Sequence, residues 1–237
     1  MKIYQQIIEA KTNNQKLLAI LLDPDKIELK NIVPLLEKIK QSPATHLFVG
    51  GSVVEGSIDE LIITLKKEIN LPIVLFPGHP SQISTFADGI LFLQLTSGRN
   101  PDYLIEHQIN AALQLHQSSL EIIPTSYILI DGGTETAVQR VSQTKPLPNI
   151  PEKVLPTALA GQYLGHKLIY LEAGSGAKNA VDSEVVKTVA EYCDIPIIVG
   201  GGIKNIDTFE KYYQAGATLI VIGTAFENDE DFFNTTF

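Results

Sequence analysis

The sequence predicts an α/β fold in which eight parallel strands close into a single (β/α)8 barrel. Three observations carry that expectation: eight short apolar runs recur along the chain, the segments between most of them have helical spacing, and Gly, Asp, Glu and Ser residues gather directly after the runs. A run that is apolar throughout, rather than alternating, fits a strand buried on both faces, as in a parallel sheet covered by helices. Parallel strands need crossover connections, and closing the sheet removes its edges. An open doubly wound sheet is the alternative on the same pattern. With 237 residues, 44% of them hydrophobic and 19% charged, one domain spanning 1–237 is expected to form a sufficient core.

The strand-like runs cover 17–22, 46–49, 72–76, 89–93, 127–130, 167–171, 196–199 and 218–222. Between them, Val33, Leu36 and Ile39 share one helical face, as do Ile58, Leu61, Ile62 and Leu65. Residues 100–117 read as a longer helix with Pro101 near its start, where a missing N–H costs little. Two more helices are expected over 183–192 and 206–215. Residues 77–88 are too few for a full helix with two loops, so an irregular or reduced third helix is expected. Residues 131–155, rich in Thr, Gln and Pro, read as one long connection, followed by a helix over 156–163.

The formal net charge of −9 disfavours a general electrostatic grip on nucleic acid or anionic lipid, so any anionic ligand must be held locally. Backbone N–H groups at helix starts, or a divalent cation, supply such a grip. Cys193 is the only cysteine, which excludes an intrachain disulfide, a Cys-rich zinc site and a CxxC pair. Residues 1–16 are polar and lack a secretory pattern, and no apolar run approaches the roughly 20 residues of a membrane span. A cytoplasmic protein without a transmembrane anchor is expected.

The C-terminal strand ends of such a barrel carry its chemistry. There the sequence places Asp23-Pro24-Asp25-Lys26, Gly50-Gly51-Ser52, Glu172-Ala173-Gly174-Ser175-Gly176, Gly200-Gly201-Gly202-Ile203-Lys204 and Gly223-Thr224-Ala225. Glycines at the last two ends let backbone amides approach an anion, and the pair reads as a phosphate cradle; tight turns are the plainer reading of any single loop. Asp23 and Asp25 flank a proline, so one can face a pocket while the other caps a helix. A hard cation such as magnesium, which commonly uses one or two carboxylates, is compatible with either. Glu172 ends a fully apolar strand, where burial would raise its pKa and suit it to take a proton from a hydroxyl; pairing with a lysine is the structural alternative. His46, His79, His107, His116 and His166 show no metal-ligand spacing, and most of them read as packing or surface residues. There is no GxSxG elbow, so covalent catalysis is not expected.

Six segments in order resemble the geranylgeranylglyceryl phosphate synthase family, including its bacterial members that use other prenyl chain lengths. They are LLDPDK at 21–26, FVGGS at 48–52, LTSGRNPDYL at 95–104, YLEAGSGA at 170–177, IVGGGIK at 198–204 and VIGTAFE at 221–227. The resemblance, which runs through most of the chain, implies a TIM barrel. It implies sn-glycerol 1-phosphate bound at Tyr170, Leu171, Glu172, Ala173, Gly174, Ser175 and Gly176, at Gly201 and Gly202, and at Gly223 and Thr224. It further implies Mg2+ held by Asp23 and Ser52, a homo-oligomer, and transfer of a prenyl group from its diphosphate, geranylgeranyl diphosphate favoured, to the free glycerol hydroxyl. Glu172 is then the candidate base and Tyr170 shapes the site. Phe76, Phe92 and Tyr103 are candidates for an apolar groove, with ordinary core positions as their alternative.

The chain departs from the family pattern at Thr96 and Gly98, where an Asn-Ser-Arg-Asn-Pro-like run is expected, and at His79, where a smaller residue is common. Diphosphate contacts and chain length stay open on that account. Arg99 reads either as a diphosphate ligand or as a surface ion-pair partner. Two other functions use the same cradle: a phosphate-sugar isomerase or aldolase, for which Lys167 and Lys204 are not clearly placed, and a non-catalytic binder of phosphorylated metabolites.

Overall fold

In the computed structural model, which describes residues 2–51, 58–229 and 232–233, the chain forms the expected closed barrel. Strands β1 (Leu17–Leu22), β2 (His46–Val49), β3 (Ile73–Leu75), β4 (Gly89–Leu95), β5 (Glu121–Leu129), β6 (Leu168–Glu172), β7 (Ile197–Gly200) and β8 (Leu219–Ile222) pair in chain order, and β8 returns to β1. Every pairing is parallel. The helices are α1 (Ile3–Thr12), α2 (Val33–Gln41), α3 (Ile58–Glu68), α4 (His107–His116), α5 (Ala137–Ser142), α6 (Pro151–Tyr163), α7 (Ser183–Tyr192), α8 (Asp207–Gln214) and α9 (Thr224–Asn228). None in the described residues is long and apolar enough to cross a membrane.

Alternation along each strand divides the core into two layers. On β6, Ile169 and Leu171 turn outward and pack with the helices, while Leu168 and Tyr170 turn into the barrel. The barrel floor is sealed by α1, whose Ile3, Ile7 and Ala10 pack against Leu17, Ala19 and Leu219. Glu121 fastens this plug by accepting hydrogen bonds from the backbone N–H groups of Ile3 (2.5 Å) and Tyr4 (3.1 Å), two of the donors a helix start leaves unpaired. The segment 2–16, read from the sequence only as polar, thus closes the lower end.

The larger departures from expectation each have a local reason. β5 begins at Glu121 and carries Pro124 inside it; the proline gives up one N–H, but its carbonyl oxygen still accepts from Lys167 N–H at 2.8 Å. The helix expected over 100–117 is split into a π-helical turn, Asp102–Glu106, followed by α4. Side chains serve carbonyls of that wide turn, with Gln94 Nε2 donating to Leu104 O at 2.7 Å and Gln108 Nε2 to Tyr103 O at 3.5 Å. The connection expected over 131–155 is ordered: it holds α5, with a capping box between Thr136 and Gln139, and a bridge from Ile130 to Leu147. It ends earlier than expected, because α6 starts at Pro151 and runs through Pro156.

The reduced third crossover is as expected. Between β3 and β4 the chain makes only a short 3-10 turn, Pro80–Gln82. Gln82 holds the turn against β2 by donating from Nε2 to the Gly51 carbonyl oxygen at 2.9 Å.

Candidate active site

A cavity of about 710 Å³ opens at the C-terminal ends of the strands. Asp23 from the β1 end, Tyr170 and Glu172 from β6, and the turns at Gly174–Gly176, Gly201–Gly202 and Gly223–Thr224 all line it. The carboxylate after the first strand and the glycine turns after the last two therefore share one chamber.

Glu172 stands at its centre and is 5% exposed. Its Oε1 accepts a hydrogen bond from Gly174 N–H at 2.7 Å. Burial pushes its carboxyl up from 4.5 to about 7, against the opposing pull of the Gly174 N–H and the neighbouring Tyr170. Tyr170 is fully buried, and burial, reinforced by the charge of Glu172, holds its phenol well above the ordinary value. Its hydroxyl lies at the cavity wall close to the Glu172 carboxyl, without a hydrogen bond of standard geometry to any group.

The glycines explain how the turns crowd around this carboxylate. Gly201 has φ +77°, and a Cβ there would sit 2.1 Å from Glu172 Oε1 and 2.5 Å from the Gly174 nitrogen. Gly174 has φ +100°, and a Cβ there would meet Thr136 Cγ2 at 2.2 Å. Only glycine fits both the conformation and the space. Ser175 and Thr224 join the β6 and β8 loops through an Oγ–Oγ1 contact of 3.1 Å.

Away from these turns the cavity becomes apolar. Phe76 stacks against Tyr127 and Tyr170 with ring centroids 5.8 and 5.2 Å away, forming an aromatic wall beside Glu172. Beyond it, Ile83, Ile90, Phe92, Tyr103 and Ala111 continue the lining between β4 and α4, in the space that a full third helix would fill. Phe76, Phe92 and Tyr103 are thus groove residues as well as core residues.

Not every expected residue faces this chamber. Leu171 is fully buried in the outer core and Ala173 nearly so, and neither side chain lines the cavity. Ser52 lies outside the described residues. Arg99 is exposed: its guanidinium folds back onto the carbonyl oxygens of Gly98 (2.5 Å) and Thr96 (3.4 Å) and does not line the cavity. Lys167 stacks over the Tyr4 ring, 5.1 Å from its centroid, at the floor of the barrel. Lys204 lines the cavity, but its Nζ donates to the Lys178 carbonyl oxygen at 3.1 Å.

Other residues line the site without having been expected there: Tyr127, His107, Gln108 and, around α5, Glu135, Thr136, Ala137, Val138, Arg140 and Val141. Tyr127 is the register partner of Tyr170 across β5 and β6, a signal that needs the strand pairing to be known. His79 and His107, two of the histidines read mostly as packing or surface residues, both line the cavity and meet edge to face at 5.1 Å.

Asp23 suits a hard cation. Its Oδ1 accepts from Asp25 N–H at 3.3 Å, its carboxylate lines the cavity, and Gly51, whose absent Cβ would lie 3.2 Å from Oδ1, keeps the approach open. Among the described residues no three His, Cys, Asp or Glu converge as a ligand cluster. One carboxylate completed by water and ligand oxygens is a donor set that magnesium uses.

The family model described as PcrB matches residues 6–237. The chain belongs to the PcrB family. Within it, a geranylgeranylglyceryl phosphate synthase of Flavobacterium johnsoniae is 60% identical over 235 residues, covering 98% of this chain and 97% of that protein. An archaeal protein of the same name, from Korarchaeum cryptofilum, is 42% identical over 217 residues, covering 91% and 89%. Among solved structures, the (S)-3-O-geranylgeranylglyceryl phosphate synthase of Thermoplasma acidophilum, in complex with its substrate sn-glycerol-1-phosphate, superposes with a TM-score of 0.92. It is 33% identical and covers 99% of this chain and 95% of its own. The PcrB resemblance thus extends over the barrel and every loop that lines the cavity.

Proposed function

We propose that this chain is a prenyltransferase that joins the C3 hydroxyl of sn-glycerol 1-phosphate to a long-chain prenyl diphosphate, geranylgeranyl diphosphate favoured, by an ether bond, releasing diphosphate. The observation that carries this reading is a single cavity in which a buried carboxyl, Glu172, separates a set of glycine turns from an apolar arm. The Flavobacterium and Korarchaeum relatives and the glycerol-1-phosphate complex of the Thermoplasma protein support the choice of substrates.

Backbone N–H groups of the turns at Ser175–Gly176, Gly201–Gly202 and Gly223–Thr224 bind the phosphate of the glycerol phosphate. The apolar arm takes the prenyl chain, each buried methylene contributing roughly 0.8 kcal/mol. The C3 oxygen attacks the allylic carbon, the bond from that carbon to the diphosphate oxygen breaks with its electron pair leaving on the diphosphate, and Glu172 accepts the hydroxyl proton. A carboxyl near 7 is a stronger base than an ordinary one and is still substantially ionised at neutral pH. Tyr170, Tyr127 and Phe76 shield the reacting carbon from water, and the Tyr170 hydroxyl, beside the Glu172 carboxyl, is placed to orient the glycerol oxygen. Asp23, with Ser52 as its expected partner, would hold Mg2+, whose chemistry when bound is to neutralise charge gathering on the departing diphosphate.

Self-association and a cytoplasmic location belong to the same proposal. Ile105, Ile109 and Leu113 form an apolar stripe on the outer face of 102–116, exposed by 53%, 57% and 76%, and a second copy would cover it. The lone, buried Cys193 fits a reducing compartment.

Purified protein incubated with magnesium, sn-glycerol 1-phosphate and a series of prenyl diphosphates should release inorganic diphosphate and form an ether lipid, with geranylgeranyl diphosphate the best donor. Turnover should depend on magnesium and discriminate against sn-glycerol 3-phosphate. Binding of both substrates without ether formation would sink the reading.

A further inference from the structure

Two anionic substrates have to share this cavity, and few cations face it. Lys26, Arg140 and Lys204 line it together with four carboxylates, Asp23, Glu135, Glu172 and Glu227. Arg140 is 3.5 Å from Glu135 at the outer rim, and Lys204 is spent on a backbone carbonyl oxygen beside the glycine turns. Lys26 is placed differently. Its Nζ lies 3.0 Å from Glu227 Oε2 and 3.7 Å from Asp23 Oδ2, and so bridges the ends of β1 and β8. Glu227 is 18% exposed and sits on α9, directly after the Gly223 turn, whereas Lys26 keeps 49% of its side chain exposed. The carboxylate is the anchored member of the pair and the ammonium is the one that can move. A diphosphate arriving beside Asp23 meets Asp23 and Glu227 as like charges, with Lys26 the nearest counter-charge between them.

We propose that Lys26 is a diphosphate-binding residue, held at rest by Glu227 and turned onto the diphosphate of the prenyl substrate when that substrate enters between Asp23 and the Gly223 turn. The proposal rests on the prenyltransferase reading for the identity of the diphosphate. It assigns Lys26 to that group rather than to the glycerol phosphate, which the glycine turns already bind. Glu227 is its keeper and not a ligand.

The test is calorimetric titration of the full-length protein with inorganic pyrophosphate, without added metal, followed by steady-state kinetics with geranylgeranyl diphosphate. Lys26→Gln should weaken pyrophosphate binding at least tenfold and raise KM for the prenyl diphosphate by a similar factor, while Kd for glycerol 1-phosphate stays within twofold. Lys26→Arg should recover most of the loss, because it keeps the charge. Glu227→Gln frees the lysine and should bind pyrophosphate at least as tightly as wild type. A merely structural bridge predicts the opposite pattern, in which Lys26→Gln and Glu227→Gln weaken binding alike and lower the thermal midpoint together. That pattern, or unchanged binding in Lys26→Gln, or no pyrophosphate binding by wild type, overturns the proposal. Wild-type protein that binds pyrophosphate but makes no ether refutes the prenyltransferase reading instead, and leaves Lys26 to be judged by the binding series.

Discussion

Glu172→Gln should make the folded protein more stable at alkaline pH while removing most of its activity. The wild-type carboxyl is raised from 4.5 to about 7 because burial penalises its charged form. A raised folded-state pKa gives stability that is fully present below pH 4.5 and is lost as pH rises through 7, since folding then requires a charge to be buried. The size of that loss is about 3 kcal/mol for the one group. Glutamine has nearly the same shape, its carbonyl oxygen can still accept from Gly174 N–H, and it never ionises. The difference in unfolding free energy between variant and wild type should therefore be near zero around pH 4 and grow to about 3 kcal/mol in favour of the variant by pH 8 to 9. Every other titrating group is common to the two proteins and cancels in the difference. Urea unfolding of both proteins at the two pH values measures it directly. Turnover of the variant should fall by roughly 10²–10⁴, the usual contribution of a positioned base. A stability difference that does not change with pH would refute the burial argument, and nearly full turnover with unchanged magnesium dependence would refute the role as base.

Gly201→Ala places a methyl group 2.1 Å from Glu172 Oε1 and 2.5 Å from the Gly174 nitrogen, on a backbone with φ +77°. It should cost about 1–3 kcal/mol of stability from strain alone, and should raise KM for glycerol phosphate more than it lowers the unfolding midpoint would explain; an unchanged KM argues against a cradle at this turn. Ala111→Trp fills the apolar arm beside Ile83 and Ile90 and should lower kcat/KM for geranylgeranyl diphosphate at least tenfold relative to geranyl diphosphate. A constant ratio would mean that the chain lies elsewhere. His46 is 2% exposed, its Nε2 has no partner, and burial lowers its pKa from 6.5 to about 4. A lowered folded-state pKa gives stability that is intact above pH 6.5 and lost as pH falls to 4, by about 3 kcal/mol, so His46→Phe should flatten that part of the stability profile. Identical acid profiles for the two proteins would show that the imidazole protonates in place.

The strands were legible because a parallel strand buried on both faces leaves a signal in one dimension, and β1 and β2 need nothing else to be found. β5 escaped at its start because Glu121, Thr125 and Ser126 interrupt the apolar run and Pro124 argues against a strand. Only the barrel neighbours β4 and β6 make that segment pair. The floor helix α1 was hidden for a related reason. It seals the barrel with only Ile3, Ile7 and Ala10 facing in, too few apolar residues to stand out in a polar segment.

The same distinction governs the site. Glu172 and the glycine turns were legible because each belongs to a local strand end with its own composition. Tyr127 and Ala111 were not, because their place depends on closure: β5 must register with β6, and α4 must pass over the outer face of β4. Lys26 stood at the first strand end already, and only its contact with Glu227 on α9 needed the closed barrel. The shortage of residues between β3 and β4 could be counted in the sequence, and the reduced third helix followed from it. What the count could not supply is that the vacant space opens into the barrel mouth. That happens because the π-helical turn ahead of α4 brings Tyr103 and His107 to the rim, while Ala111, one turn on, is small enough to leave the inner end open. A missing helix leaves an open apolar arm only when its neighbours decline to fill it, so the extent of that arm is set by side-chain volume on α4 rather than by any motif at the strand ends.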